Sequence, residues 1–278
     1  MGFHMSSHLS KYLNGQLFIY NRSIKKSHKW IKQNKGNLVS NLDDIDFKFH
    51  GAFICAKDDK AVLDLVIKNN LINHLDSKSF IVDHSTTSLD LIKSIKENLQ
   101  FKKQQIDFFD APVSGGEIGA INGTLSVMVG GNKSKFKSPK ELIQSYASNI
   151  SFIGKNGHGQ IAKMINQITI AGVIDGLSEG IILGKKSEVN MNKVLEAISN
   201  GAAQSWQMDN RAKTMLKDKY DFGFAIDLMI KDLKIALNHA KNKKLNLKTT
   251  KSVLKEYINL SQNGSGDLDT SALIKKIH

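Results

Sequence analysis

Three stretches of this 278-residue chain carry residue types that do chemistry. The first runs from Asp110 to Gly131, DAPVSGGEIGAINGTLSVMVGG. Apolar strand formers (Ile106, Phe108, Phe109) lead into it, and a second strand pattern, Leu125 to Val129, leads out. Glycines let backbone N–H groups turn inward and approach a ligand with no side chain in the way. The Ser114-Gly115-Gly116 turn therefore suits an anion or a carbonyl oxygen. An ordinary glycine-rich hairpin fits the same letters equally well.

The second stretch is GHGQIAKMINQ, Gly157 to Gln167. Lys163, Asn166 and Gln167 are spaced three and four apart and share one helix face. A lysine near the start of a buried apolar helix is disfavoured unless it has a task. Desolvation lowers its pKa and suits it to proton transfer, and the neighbouring amides could hold a substrate carboxylate. A solvated lysine is the competing reading. Downstream, Lys231 and Asp232 follow an apolar turn carrying Phe224, a pairing that by itself reads as surface charge.

The third stretch is at the N-terminus. Gly2 opens a helix, and about twenty residues on a strand ends in Tyr20-Asn21-Arg22-Ser23. In a dinucleotide-binding βαβ unit a glycine allows close helix packing, and the tip of the second strand reads the adenosine ribose. An acidic residue there would bind the 2′-hydroxyl of NAD. Arg22, with Asn21, Ser23, Lys25 and Lys26 beside it, suits the 2′-phosphate of NADP instead; a surface arginine is the alternative. The first strand and first two glycines of that unit do not occur in these 278 residues. Losing three or four buried aliphatic side chains from the centre of a sheet would forfeit roughly 5–10 kcal/mol. The expectation is that about ten residues precede Met1 in the natural protein, whether the start is misassigned or the chain truncated.

These residues need a scaffold to position them. The first half alternates strand and helix patterns: a helix over Phe3–Leu13 closed by Gly15, strands at Leu17–Tyr20, Phe49–Ala56, Phe80–Asp83 and Ile106–Phe109, and helices between them. Such alternation predicts an α/β fold with a doubly wound parallel sheet. Beyond Gly157 every segment reads as helix, so the chain divides into a Rossmann-like domain, 1–156, and an all-α domain, 157–278, opened by a long helix. The strand–helix pattern, minus its first strand, is that of an N-terminally truncated Rossmann-type sheet.

Composition narrows the classes. Charge is +13, but only Arg22 and Arg211 are arginines and the lysines are scattered in ones and twos. Phosphate and base recognition favours arginine's planar fork, so nucleic acid is not expected as a partner. The long apolar stretch from Ile161 is broken by Lys163, Asp175 and Glu179, so no membrane span is expected. A lone Cys55 and no secretory signal point to a reducing, cytoplasmic setting. No zinc-type spacing appears, and no metal is expected.

Together the segments resemble the β-hydroxyacid dehydrogenase family, which includes 3-hydroxyisobutyrate dehydrogenases and tartronate, glyoxylate and succinic semialdehyde reductases. VDHSTTS (Val82–Ser88), the Asp110–Gly131 stretch, GHGQIAKMINQ, FAIDLMIKDL and DTSALIKKI (Asp269–Ile277) are each similar to a family segment, in order. The resemblance implies hydride transfer between a small hydroxyacid and its semialdehyde, with NADP(H) preferred and NAD(H) possible. It implies that Ser114 with the Gly115 and Gly116 amides binds a substrate carboxylate and that Lys163 is the general acid–base. Asn166 or Gln167 would orient the substrate. Gly2, Asn21, Arg22, Ser23 and Lys26 would serve the cofactor, with Thr86 near the nicotinamide, and Phe224 and Lys231 contributing from the helical domain. It also implies a homodimer or homotetramer. The alternative is a catalytically impaired remnant, acting as a dimerising scaffold or a cofactor-binding module.

Overall fold

The structure, a computed structural model, describes residues 1–277, with residues 99 and 100 described in their backbone alone. It separates into two compact units, Met1–Lys163 and Met164 onward. The division between the units falls inside the helix His158–Lys186.

The first unit opens with α1 (Gly2–Tyr12), β1 (Phe18–Tyr20), α2 (Ile24–Ile31) and β2 (Asn37–Val39). β1 and β2 pair in parallel as a two-stranded sheet. The second sheet is built from β3 (Phe49–Ile54), β4 (Leu75–Asp83), β5 (Asp107–Asp110), β6 (Val113–Ser114), β7 (Leu125–Gly130) and β8 (Ala147–Gly154). α3 (Asp59–Leu63) follows β3, α4 (Leu89–Glu97) and α5 (Leu99–Gln104) follow β4, α6 (Gly116–Asn122) precedes β7, and α7 (Lys137–Ile143) precedes β8.

Strands β3, β4 and β5 are parallel, as are β7 and β8. The expected parallel order holds for these strands, and the sheet is mixed where β7 meets its other neighbours. β5 and β6 run antiparallel to β7, through Asp110–Gly130 and then Val113–Val127 and Ser114–Ser126. The physical reason lies in the short link: two residues, Ala111 and Pro112, separate β5 from β6, so both lie along one edge of β7. A parallel neighbour would require a crossover of a dozen residues or more.

Alternation along the strands divides the core. Ile81 and Phe108 face one apolar cluster with Val62, Val66, Leu91 and Ile95. Val82 and Phe109 face the other, with Met5, Leu9, Val127, Val129 and Tyr146. Helix starts are fixed by short polar caps: Asp58 accepts from the Ala61 amide and Ser88 from the Leu91 amide, each cap adding about 1 kcal/mol.

The second unit contains the rest of α8 (His158–Lys186), then α9 (Met191–Ile198), α10 (Trp206–Leu216), α11 (Ile226–Asn242) and α12 (Lys248–Leu260). By length and composition α8 could cross a membrane; it buries Ala171, Ile174 and Ile181 in the helical core, with Leu233, Val253 and Tyr257. Asp269 ties the chain's end to that core. It pairs with Arg211 at 3.2 Å and accepts from the Phe224 and Ser271 amides.

Candidate active site

The glycine-rich stretch is neither a hairpin nor a simple turn. Ser114 ends β6, and Gly115 and Gly116 (φ 116° and 61°) swing the chain into α6. The helix went unseen in the sequence because its seven residues, GEIGAIN, hold two glycines. Both turn glycines adopt left-handed conformations that cost an L-residue about 1 kcal/mol or more. Gly115 and Gly116 are exposed and Ser114 half-buried, which leaves this corner reachable from solvent.

Lys163 reaches the same corner. Its side chain is buried, 7% exposed, and its Nζ donates to the Val113 carbonyl at 2.9 Å. The solvated-lysine reading is thereby overturned: four apolar methylenes and the ammonium are carried inward, to the residue next to Ser114.

The start of α8 is held by Asp110. Its carboxylate accepts from the amides of Gly157 at 2.7 Å and Gln160 at 3.1 Å, a favourable place for negative charge at a helix start. Burial pushes the Asp110 carboxyl up, and those amides oppose the rise. Gly159 permits the close approach, since a β-carbon there would stand 2.4 Å from the Asp110 carbonyl. Gln160, fully buried, donates to the Ser85 carbonyl at 2.7 Å and accepts from the Thr87 amide at 3.1 Å. It thereby grips both neighbours of half-buried Thr86. Ser85 in turn accepts the Ala56 amide at the end of β3.

Two more buried groups stand at the end of β4. Asp83 accepts from the Ser85 amide through Oδ1, while Oδ2 has no hydrogen-bond partner; burial raises its pKa to about 7. His84 bridges the Ala111 carbonyl and the Tyr146 hydroxyl, 2.6 and 2.7 Å away, and burial lowers its pKa to about 4. Neither Asp83, His84, Asp110 nor Gln160 was singled out by sequence. The available signal was an aspartate directly after an apolar run in each of two strands, FIVD and FFD.

Of the cofactor candidates of this unit, Thr86 follows β4, Gly2 lies beside the end of β3, and the others follow β1. Gly2 lies against Cys55, where a β-carbon would come within 3.3 Å of the Cys55 β-carbon. Cys55 itself falls just past β3 and is solvent-exposed, not within a strand. Asn21, Arg22, Ser23 and Lys26 are all exposed directly after β1. Ser23 is the N-cap of α2 but its hydroxyl makes no cap bond, and the first turn holds no acidic residue. Two cations, a hydroxyl and helix-start amides form a donor set that fits a phosphate monoester. Nucleotide cofactors of the NAD(P) type carry phosphate groups, and the donor set fits such a group.

In the second unit, Asn166 donates to Gln167 Oε1, and Gln167 donates to Asp232 Oδ2 at 2.7 Å. Lys231 pairs with Asp232 at 3.1 Å. The surface-charge reading of this pair fails for Asp232, which is 2% exposed and holds Gln167 in place. Phe224 is partly buried against the helical core. Among the described residues no three His, Cys, Asp or Glu side chains cluster as a metal site.

Comparison with known proteins gives a family to both halves. Residues 1–154 match the family model for the NAD-binding domain of 6-phosphogluconate dehydrogenase, and 157–277 that for NAD-binding of NADP-dependent 3-hydroxyisobutyrate dehydrogenase. The chain is 38% identical, over all of its length and 94% of the relative's, to an oxidoreductase of Shewanella frigidimarina. It is 36% identical to a probable 3-hydroxyisobutyrate dehydrogenase-like protein of Arabidopsis thaliana, covering 99% of this chain and 81% of that one. In fold it is similar to the Mycobacterium tuberculosis 3-hydroxyisobutyrate dehydrogenase solved with L-serine, at a TM-score of 0.88, 20% identity and coverage of 100% and 96%.

Proposed function

This chain belongs to the β-hydroxyacid dehydrogenase family of NAD(P)-dependent oxidoreductases, and from that premise we propose that it interconverts a small β-hydroxyacid and its semialdehyde, with NADP(H) and with Lys163 as general acid–base. The observation that carries the proposal is the buried Lys163 ammonium, 2.9 Å from the Val113 carbonyl and one residue from Ser114. The cofactor, when bound, supplies hydride to the substrate carbon or takes it away. Everything else falls to the chain's own residues.

In the reductive direction Lys163 gives a proton to the carbonyl oxygen as charge builds there; in the oxidative direction it takes the hydroxyl proton. Its positive charge stabilises the developing alkoxide in the same act. Ser114 and the Gly115 and Gly116 amides hold the substrate carboxylate, an acidic group they can meet with three donors. Asn166 and Gln167, one turn beyond Lys163 on α8, orient the substrate, and Asp232 fixes the Gln167 amide so that its rotamer is not left free. Asn21, Arg22, Ser23 and Lys26 take the ribose and its 2′-phosphate, Gly2 allows close approach at the start of α1, and Thr86 serves the nicotinamide end. Phe224 and Lys231 are assigned to the cofactor on the family resemblance, as is a homodimer or homotetramer. The intact Lys163 contact favours an enzyme over a scaffold remnant.

The test is a panel of semialdehydes and β-hydroxyacids (methylmalonate, tartronate and succinate semialdehydes, glyoxylate, 3-hydroxyisobutyrate) with NADPH and NADH, read at 340 nm. Turnover of at least one, with the phosphorylated cofactor preferred, is expected. No turnover of any carboxylate-bearing carbonyl, by a protein that binds NADPH, would overturn the substrate class.

A further inference from the structure

Two contacts of the first unit join the same pair of segments. Asp110, at the end of β5, accepts from the Gln160 amide at 3.1 Å. Three residues on in both segments, Lys163 donates to the Val113 carbonyl at 2.9 Å. Each contact joins residues fifty positions apart in the chain. The Asp110 carboxylate also takes the Gly157 amide at 2.7 Å. A single contact would leave the first turns of α8 free to pivot. Contacts at successive turns fix both their position and their rotation. The joint is close-fitting on every side. A β-carbon at Gly159 would stand 2.4 Å from the Asp110 carbonyl and 2.5 Å from the Met128 carbonyl. One at Gly130 would stand 2.7 Å from both Asp110 carboxylate oxygens and 2.8 Å from the Gly159 nitrogen. Asp110 itself is fully buried. Both of its carboxylate oxygens face N–H donors, which the ionised acid satisfies and the O–H of a protonated one does not.

We propose that Asp110 is a positioning residue for the proton transfer: it sets the start of α8 so that the Lys163 ammonium stands beside Ser114. The inference rests on the reading of Lys163 as general acid–base given above. Asp110 acts on the reaction only through Lys163, by fixing the backbone from which that side chain reaches out. The effect on rate is large because proton transfer needs the reacting atoms aligned, and a misplacement of about 1 Å costs on the order of a hundredfold. An asparagine at this place would keep one acceptor and turn an amide NH2 toward the other N–H donor. The helix start would then move away from the strand end, and Lys163 with it.

The experiment uses the full chain and two variants that disturb the joint differently. Asp110→Asn removes the charge and one acceptor, while Gly159→Ala keeps the carboxylate and pushes the helix start off the strand ends. Rates are taken at saturating NADPH with the best semialdehyde and divided by the NADPH sites titrated, so that only folded protein is counted. The expected result is a kcat about tenfold to a hundredfold lower in both variants, with the semialdehyde KM within about threefold of wild type. Placed in the Lys163→Ala background, Asp110→Asn should lower the residual turnover by less than about twofold, because the group it positions is already gone. Lysine acetylation read by mass spectrometry needs no turnover. Labelling of Lys163 should rise at least about fivefold in both variants as its local hold is lost, while Lys276, paired with Asp175 in the second unit, should not change. The proposal is overturned by unchanged Lys163 labelling, by wild-type kcat in both variants, or by a full further loss in the Lys163→Ala background. It is also overturned if neither variant binds NADPH, since the joint would then serve folding alone. If Lys163→Ala keeps its turnover, the acid–base reading fails, and the labelling still decides whether Asp110 holds Lys163 in place.

Discussion

Lys163 Nζ donates to the carbonyl oxygen of Val113, fifty positions earlier in the chain, at 2.9 Å. One hydrogen bond therefore joins the start of the long helix to the strand end that carries Ser114. That bond to a backbone carbonyl holds the ammonium at the strand end beside Ser114.

Replacing Lys163 with alanine should lower turnover by about a thousandfold or more, the range for a positioned acid–base group. NADPH binding, read by fluorescence enhancement, should stay within a few-fold of wild type. Lys163→Arg should not restore activity, because a guanidinium keeps its proton at any working pH. Turnover within a few-fold of wild type in either variant would remove Lys163 from the chemistry.

Much of this was legible beforehand, and the gaps have physical causes. Lys163, Asn166 and Gln167 share a face because helix period dictates it, and spacing was enough to see that. The glycines after Ser114 were legible as a point where the chain must turn, and Gly115 and Gly116 do take positive φ there. What spacing could not show is which buried groups meet across the chain. Asp110 meets the Gly157 and Gln160 amides across about fifty residues, and Gln160 meets Ser85 and Thr87 across more than seventy. Antiparallel β6 was missed because two residues, Val and Ser, give no period to read. β2 was missed because Asn37–Val39 is three residues long.

Gln160 is predicted to act on Thr86 through its neighbours. Gln160→Ala leaves the Ser85 carbonyl and the Thr87 amide without their partner, each costing about 1–3 kcal/mol when buried. Gln160→Glu keeps the acceptor for Thr87 but sets an oxygen against the Ser85 carbonyl. Both variants should lower Tm by several degrees and weaken NADPH binding more than they lower kcat at saturating cofactor. Equal loss in kcat with unchanged cofactor affinity would show that Gln160 serves the reaction centre instead.

Arg22 tests the cofactor choice. It is exposed at the end of β1, so its removal should leave the fold alone. If it meets a 2′-phosphate, Arg22→Ala loses a charge-assisted contact of about 1.5–3 kcal/mol. NADPH affinity should then fall by roughly tenfold to a hundredfold while NADH affinity stays nearly constant. Titration calorimetry with both cofactors separates the outcomes, and an equal loss for the two would place Arg22 elsewhere on the cofactor.

Asp83 and His84 make opposed contributions to stability against pH. Asp83 holds its proton up to about pH 7 when folded but only to 3.8 when free. Between those values the native state binds more protons than the unfolded one, so this contribution falls as pH rises. His84 takes a proton only near pH 4 when folded, against 6.5 when free. There the unfolded state binds more protons, so its contribution rises with pH. Each limb amounts to roughly 3–4 kcal/mol at full extent, and from about pH 4 to 6.5 the two offset one another. Asp83→Asn keeps an acceptor for the Ser85 amide and removes the falling limb; its Tm relative to wild type should climb as pH rises from 4 to 7. His84→Gln removes the rising limb, so the variant should lose stability relative to wild type over pH 4 to 6.5. Differential scanning fluorimetry across pH 4 to 8 reads both directly. Profiles parallel to wild type in both variants would mean that neither buried group titrates with folding.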